Sequence, residues 1–262
     1  MNWEKLTGGT FEQAVQQAAG VCVIPVGVIE YHGPHLPLGT DMFQAHALAT
    51  AAAEREPVIV YPQYYFGVNV ETKHYPGGIV IKDRLIFELL ENICDEISRN
   101  GLKKIVLVSG HGGNRYFLPL FTQLMLDKGK DYTLYYVEGY GADPQVLARI
   151  METKSDEHAG ETETSLALHL YPELVRKDLL PDHNWLRNEE RLSHLQGVYT
   201  PADWFAMYPE HCAGDAVPAT AEKGRLLFED VVIKVAALFK KIKEDQAAPA
   251  IYAEFGSRIY RK

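Results

Sequence analysis

The pattern with the clearest chemical meaning is a glutamate and a histidine one residue apart, followed nine residues later by an aspartate. In an extended segment the side chains of Glu30 and His32 point the same way. Asp41 follows at the start of an alanine-rich segment. Carboxylates combined with an imidazole suit zinc, manganese or iron(II) better than calcium, which prefers oxygen ligands alone. The alternative is structural: Asp41 caps a helix and His32 lies on the surface.

Two further segments carry groups of the same kind. In SGHGGN, residues 109–114, His111 lies among glycines that allow close backbone approach to a ligand. The same letters also fit a plain turn in which Asn114 caps a helix. In DEHAGETETS, residues 156–165, His158 precedes a predicted helix start that contains Glu161 and Glu163. Those acids either offset the helix dipole or belong to a metal or proton-transfer site.

Alternating strand and helix patterns must position these groups. Short apolar runs predict buried strands, and amphipathic or alanine-rich segments between them predict helices. One helix should be capped by Asp83 and end at Gly101. This alternation predicts the α/β class, with three α/β/α layers around a mainly parallel central sheet. Ligands collect at the carboxyl edge of such sheets, so the first two polar segments should share a pocket there. The predicted strands are 21–29, 57–62, 104–110 and 132–139, and the predicted helices are 41–56, 83–101, 161–171 and 220–243.

Composition narrows the function classes. A formal net charge of −9 disfavours binding to nucleic acid, whose phosphates are negative. No run of about eighteen apolar residues predicts a membrane span, and the first residues do not resemble a secretory signal. The three cysteines lack paired spacing and indicate a reducing compartment. The sequence therefore predicts one domain, residues 1–262, in the cytoplasm, without membrane or nucleic-acid partners.

Taken together, the three polar segments resemble the creatininase (creatinine amidohydrolase) family. The first segment matches the pattern Glu-x-His-Gly-x-His-Leu-Pro-x-x-x-Asp, and the second matches a glycine-histidine-asparagine turn. The third matches His-x-Gly-x-x-Glu-Thr-Ser, and HYPGG (74–78) and ATAEKG (219–224) resemble further family blocks. The matching residues are Glu30, His32, Gly33, His35, Leu36, Pro37, Asp41, Gly110, His111, Asn114, His158, Gly160, Glu163, Thr164 and Ser165.

The resemblance implies an α/β/α hydrolase with two divalent metal ions, zinc and/or manganese or iron, that acts on small and often cyclic amides. Glu30, Asp41 and His111 would hold one ion, and His32 with Asp41 would hold the second. A hydroxide held between two such ions is a nucleophile at neutral pH. His158 would be the general acid or base that carries the proton to the leaving group.

The chain departs from the creatinine-hydrolysing members at two positions. Those enzymes place a glutamate ligand where this sequence has Gly113, so we expect Glu163 to replace it as a metal ligand or to act in catalysis. Otherwise the second metal site is weak or empty. They also carry a tryptophan where this chain has Lys154, which favours a negatively charged or oxygen-rich substrate over creatinine. The residues expected to bind substrate are His74, Gly112, Gly113 and Lys154.

Three functions stay open from the sequence. The preferred one is hydrolysis of a linear or cyclic amide in a small polar metabolite. The first alternative is carbon–carbon hydrolysis of a polyhydroxylated cyclic diketone, such as an inositol derivative, and the second is a non-catalytic metal-binding role. The resemblance also implies a homo-oligomer, possibly a hexamer.

Other side chains are ambiguous at this stage. Trp185, Trp204 and Tyr208 would line either the pocket entrance or an oligomer interface. Cys212 is not expected to be a nucleophile with its neighbour His211, because adjacent residues seldom face each other.

Overall fold

A four-stranded parallel sheet forms the centre of the structure, a computed structural model that describes residues 1–139, 141–181 and 184–259. The strands run in the order β2-β1-β3-β4, and every pairing is parallel. All four lie inside the predicted runs, but β2 is short because Pro57 and Pro62, which lack an N–H donor, flank it. Their bounds are β1 Val21–Val26, β2 Ile59–Val60, β3 Lys104–Ser109 and β4 Thr133–Glu138.

Helices connect and cover these strands. Short 3₁₀ turns lie at Trp3–Lys5, Val70–His74, Leu126–Lys128, Pro172–Leu174, Lys177–Leu179 and Ser193–Leu195. Within the described ranges, no helix is both long enough and apolar enough to cross a membrane. The α-helices are α1 Phe11–Gln17, α2 Thr40–Arg55, α3 Asp83–Arg99, α4 Asn114–Met125, α5 Pro144–Ile150, α6 Glu161–Leu170, α7 Asp203–Met207, α8 Ala221–Glu244 and α9 Ala247–Ile259.

The four predicted helices are present, but the predicted cap Asp83 is wrong, as is the alternative in which Asn114 is a cap. Asp83 is the first residue of α3, and its predecessor Lys82 is the N-cap, without a side-chain hydrogen bond. Asn114 is likewise the first residue of α4. Its side chain is used elsewhere, because it accepts a hydrogen bond from the Val68 amide at 3.2 Å and donates to the Val26 carbonyl at 3.4 Å. In both cases a residue type that favours helix N-caps lies one position after the actual N-cap.

The sheet is covered on both faces, which confirms the three-layer prediction. Successive strand side chains alternate between faces. Cys22 and Ile24 belong to a buried cluster with apolar residues of α3 and α4. Val21 and Val23 belong to a second buried cluster with α2 and α8. Both faces of the sheet are covered by apolar side chains. The polar side chains therefore lie at the carboxyl ends of the strands, where they come close to one another.

Helix α6 is held in place by a close crossing with α8. A Cβ atom built on Gly224 of α8 would lie 1.9 Å from the backbone oxygen of Ser165. Only glycine permits this distance between the two helices. The first turn of α6 is therefore fixed relative to the sheet, and that turn carries Glu163.

We expect Gly224→Ala to lower the free energy of unfolding by about 1–3 kcal/mol, because the added methyl group forces the helices apart. Urea unfolding followed by circular dichroism would measure the change. Gly256→Ala in α9 is the matched control, since a Cβ there meets nothing within 4 Å. It should be neutral or stabilising by about 0.5–1 kcal/mol, the helix-propensity gain over glycine. Equal stability of the two variants would contradict the close crossing.

Candidate metal centre

The end of β1, the start of α2 and the end of β3 bring three predicted ligands together. The His111 Nδ1 atom lies 3.2 Å from Glu30 Oε1 and 3.0 Å from Asp41 Oδ2. All three side chains are buried. The two polar segments after β1 and β3 thus meet at the carboxyl edge of the sheet, in the arrangement predicted for a parallel sheet.

A second group lies on the other side of Asp41. His32 Nε2 is 3.0 Å from Asp41 Oδ1 and 3.8 Å from Glu163 Oε2. The two oxygens of Asp41 therefore face two different histidines. The structural alternatives for these residues are wrong: His32 is fully buried, and Asp41 is the second residue of α2, whose N-cap is Gly39.

His158 joins the two groups. Its Nδ1 atom lies 3.8 Å from Glu30 Oε1 and 3.9 Å from Glu163 Oε2. The backbone at the next residue, Ala159, is left-handed with φ 57°, and its amide donates to Glu163 Oε2 at 2.6 Å. The turn after His158 thus orients both the imidazole and the carboxylate toward the same space.

Backbone carbonyls fix the tautomer of these three histidines. His32 Nδ1 lies 3.2 Å from the Glu30 carbonyl, His111 Nε2 lies 3.0 Å from that of Val68, and His158 Nε2 lies 2.8 Å from that of Tyr31. A carbonyl only accepts, so each of these nitrogens carries the proton. In the neutral ring the other nitrogen then presents a lone pair to the centre. Metal-binding histidines have this arrangement.

The pKa values reflect the negative charge that is buried here. Burial alone would raise the pKa of Glu30, but the positive charge of His111 and hydrogen bonds hold that pKa well below its usual range. Burial opposes charging of His32, yet the carboxylates of Asp41 and Glu163 raise the pKa of its imidazole to about 10. Burial raises the pKa of Glu163 to about 7. The carboxylates therefore require a positive partner, either a proton or a cation.

The donor set fits divalent metal ions. Asp41 Oδ2 is buried and accepts no hydrogen bond. Unpaired buried carboxylate oxygens are costly unless a cation neutralises them. Ligand atoms of Glu30, Asp41 and His111 lie within 4.8 Å of one another, as do those of His32, His158 and Glu163. Mixed carboxylate and imidazole donors suit zinc, manganese or iron.

The two acids at the start of α6 have separate roles, which the sequence left open. Glu161 is fully buried and accepts hydrogen bonds from the amides of Glu152, at 3.0 Å, and Thr153, at 2.8 Å. It also forms an ion pair with Lys223. Glu161 therefore holds the preceding loop, whereas Glu163 faces the cluster.

A cavity of about 400 Å³ opens beside the cluster. Its lining includes Gly112, Lys154, His158 and Glu163. Lys154 is exposed and brings an ammonium group to this cavity. Gly113 does not line it, because it packs beneath the His111 ring and beside the Val68 carbonyl.

His74 lies on the other side of the cluster. It is exposed, its Nε2 is 3.2 Å from the Pro209 carbonyl, and its ring centre is 5.6 Å from that of His211. It does not line the cavity, so a direct role in substrate binding has no support from its position.

The ambiguous aromatic side chains are used within the chain. Trp185 donates a hydrogen bond to Glu210 at 2.8 Å, and Tyr208, 2% exposed, donates to Glu157 at 3.1 Å. Burial raises the pKa of the Cys212 thiol, which argues against a thiolate nucleophile.

The sequence prediction missed one residue of this centre. His211 is 1% exposed, and its Nε2 atom lies 3.8 Å from Glu30 Oε2. No metal-ligand spacing marks it in the sequence. Its position depends on a left-handed backbone, φ 61°, and on the packing of a distant loop.

With this geometry established, comparison with known proteins decides the family. The model of the creatininase family, described as creatinine amidohydrolase, matches residues 4–239. The chain belongs to the creatininase family. Members of the family are metal-dependent hydrolases, and this chain is an enzyme of that class. Family membership therefore favours catalysis over a purely metal-binding role.

The relatives in the family carry the names of different enzymatic activities. The chain is 29% identical to the creatinine amidohydrolase of Pseudomonas putida over 255 residues, covering 88% of this chain and 93% of that protein. It is 30% identical to the mycofactocin precursor peptide peptidase of Mycolicibacterium smegmatis over 249 residues, covering 91% and 92%. A 3-dehydro-scyllo-inosose hydrolase of Thermotoga maritima is 26% identical over 257 residues, covering 85% and 77%.

Solved creatininase structures share the fold. A manganese creatininase superimposes with a TM-score of 0.76 at 26% identity, covering 93% of this chain and 99% of that one. A mutant creatininase of Zn-Zn type gives the same TM-score and identity, covering 93% and 98%. Both metals belong to the group that the donor set of this chain favours.

Gly113 gives a direct test of the cluster geometry. A Cβ atom at this position would lie 2.4 Å from His111 Nε2 and 2.5 Å from the Val68 oxygen. We expect Gly113→Ala to displace His111 and lower the affinity for Zn²⁺ or Mn²⁺ by at least about 10-fold, the effect of losing an outer-shell contact. Competition with a chelator would measure it.

The neighbouring glycine is the matched control. A Cβ atom at Gly112 meets nothing within 4 Å, so Gly112→Ala should leave metal affinity unchanged. Wild-type affinity in Gly113→Ala would show that the His111 ring is not held as described.

Proposed function

We propose that this creatininase-family enzyme hydrolyses an amide bond in a small polar metabolite at a two-metal centre. The main support is the position of Asp41, whose two oxygens lie 3.0 Å from His32 Nε2 and 3.0 Å from His111 Nδ1. A carboxylate in this position can bridge two cations through its two oxygens. The adjacent cavity of about 400 Å³ has the size of a site for a small molecule.

The two ligand sets share this aspartate. In the proposal Glu30, Asp41 and His111 hold one ion, and His32, Asp41 and Glu163 hold the other. Glu163 supplies the carboxylate that the creatinine-hydrolysing pattern places at position 113. When bound, divalent ions lower the pKa of water and polarise a substrate carbonyl.

His158 is the proposed acid and base. Its Nε2 proton is held by the Tyr31 carbonyl, so its Nδ1 lone pair faces the reacting space. In the metal-free chain, burial and the charge of His32 lower the pKa of His158, and burial favours the neutral imidazole in either state. The neutral ring takes a proton from the attacking water and returns it to the leaving nitrogen, as general acid–base catalysis requires.

Lys154 favours a substrate with negative charge or several oxygens, although Asp156, Glu157 and Glu163 also line the cavity. An ammonium group donates up to three hydrogen bonds and attracts anions. Cleavage of a carbon–nitrogen bond is supported by the names of the Pseudomonas and Mycolicibacterium relatives, an amidohydrolase and a peptide peptidase.

Carbon–carbon hydrolysis is the second candidate. It is supported by the Thermotoga relative, named a 3-dehydro-scyllo-inosose hydrolase, together with Lys154 in the cavity. Assays on anionic formamides, lactams and small peptides, run beside cyclic polyhydroxy diketones, separate the two reactions. Turnover of the diketones alone would replace the amide assignment.

The ligand assignment predicts distinct losses of metal. We expect His111→Ala to lose at least one equivalent of bound metal and Glu163→Gln to fall from two equivalents to one. His158→Ala should keep both ions and lose about 10²–10⁴-fold in kcat, the usual contribution of general acid–base catalysis. Elemental analysis after dialysis measures the metal content. Turnover of whichever formamide, lactam, peptide or diketone proves to be a substrate in the assays above measures kcat.

The control is His194→Ala, which removes an exposed histidine outside the cluster and should change neither quantity. Full metal content in His111→Ala would overturn the ligand set. Two bound ions in Glu163→Gln would return Glu163 to a role in substrate binding or proton transfer.

Lys154 predicts charge selectivity. We expect Lys154→Met to lower kcat/KM about 10-fold or more for an anionic substrate and to change it little for a neutral analogue, because one charged hydrogen bond contributes about 1.5–3 kcal/mol. Lys177→Met, at an exposed lysine that does not line the cavity, is the control. Equal losses on both substrates would argue against a charge contact.

A further inference from the structure

His211 differs from the other histidines of the centre in which ring nitrogen carries the proton. The Trp204 Nε1 atom lies 3.1 Å from His211 Nδ1. An indole N–H only donates, so Nδ1 must accept and cannot carry a proton. The proton of the neutral ring is then on Nε2, which points into the centre.

This tautomer excludes His211 as a metal ligand. Its Nε2 atom lies within 4.8 Å of ligand atoms of Glu30 and His158, so position alone would permit a third metal group. However, a ligand nitrogen needs a free lone pair, and both lone-pair positions are used: Nδ1 by the indole and Nε2 by its own proton. His32, His111 and His158 show the reverse arrangement: the nitrogen facing away from the centre donates its proton to a backbone carbonyl, and the nitrogen facing the centre presents a lone pair.

The partner of the Nε2 proton is the remaining oxygen of Glu30. His211 Nε2 and Glu30 Oε2 are 3.8 Å apart, each residue is 1% exposed, and neither atom has a hydrogen-bond partner. An N–H···O bond forms at about 2.9 Å, so a shift of about 1 Å closes it. Glu30 Oε1 already faces His111.

We propose that Trp204 and His211 form a positioning relay for Glu30. The indole N–H fixes the imidazole tautomer, and the imidazole Nε2–H donates to Glu30 Oε2. This leaves Oε1 as the single oxygen that Glu30 offers to a metal ion. The relay rests on the proposed ligand role of Glu30 and adds a residue pair outside the ligand set.

The local backbone supports this assignment. His211 has a left-handed backbone, φ 61°, and its amide donates to the Tyr208 carbonyl at 2.9 Å. Such a conformation costs free energy and persists where the surrounding structure over-determines it, commonly at functional sites. The ring also packs against His158, with centres 4.9 Å apart, and against Trp204, at 6.0 Å.

Three variants test the relay through metal affinity, measured by competition of Zn²⁺ with a chelator. His211→Ala should weaken binding about 10–100-fold, the usual effect of removing an outer-shell partner. His211→Gln should recover most of it, because the glutamine amide donates an N–H but is too weak a base to ligate a metal. Trp204→Phe should weaken binding, and adding it to His211→Ala should cost nothing further.

The outcomes separate the relay from its alternatives. If His211 were a ligand, Gln would be as damaging as Ala, and Trp204→Phe would preserve or improve affinity by freeing Nδ1. If the pair were only structural, all folded variants would bind Zn²⁺ as the wild type does. Either result overturns the relay. Thermal melts of each variant identify losses that come from unfolding, and the Gln variant keeps the side-chain volume.

Nitrogen NMR of the ¹⁵N-histidine-labelled chain gives a readout independent of turnover. We expect His211 to show a protonated Nε2 and an unprotonated Nδ1, both in the metal-free protein and after addition of Zn²⁺. A metal-bound Nε2 would overturn the relay. If His111→Ala kept its metal while this tautomer was observed, the ligand assignment would fail and the indole–imidazole pair would stand.

Discussion

The centre depends on how the fold keeps three carboxylates, Glu30, Asp41 and Glu163, close together and largely away from water. Glu30 and Asp41 are almost fully buried, and Glu163 is 23% exposed at the cavity. Burying like charges in one place is unfavourable unless positive charge is brought to them. Neutral histidines alone do not supply it, because their inward nitrogens present lone pairs. A divalent cation binds several carboxylate oxygens and imidazole lone pairs at once. A proton is shared by only one donor and one acceptor.

The parallel sheet supplies the geometry that this charge cluster requires. The loops after β1 and β3 leave the same edge, so ligands about seventy to eighty positions apart in sequence arrive as neighbours. Backbone carbonyls then orient His32, His111 and His158, each through the nitrogen that faces away from the centre. These hydrogen bonds aim the inward nitrogen of each ring at the carboxylates. Preorganisation of this kind lowers the free-energy cost of binding and fixes which nitrogen of each ring is the donor.

Much of this was predictable because local spacing determined it. The Glu-x-His spacing correctly predicted that Glu30 and His32 belong to one centre, and the strand–helix alternation correctly placed the two segments at one edge. Residue type and spacing alone could not distinguish Glu161 from Glu163, because both begin the same helix, and only the resemblance to the creatininase family singled out Glu163. The sequence prediction also missed His211, whose role requires an indole seven residues earlier, a left-handed backbone and the packing of a loop far from β1. Patterns report periodicity and spacing, whereas these contacts depend on how remote loops pack.

The segment from Lys154 to Glu163 brings together three residues to which we assign different roles. Lys154 and His158 line the cavity, and the Ala159 amide connects the turn after His158 to Glu163 at 2.6 Å. If Glu163 is the metal ligand that we propose, that ligand lies next to the turn that carries the proposed proton carrier, His158. Substitutions in this one loop can change the substrate charge while Glu30, Asp41 and His111 stay in place on the sheet edge. Relatives named for creatinine, a precursor peptide and an inosose are consistent with such a division. In the proposed function, the sheet edge holds the residues that activate water and one loop holds residues that select the substrate.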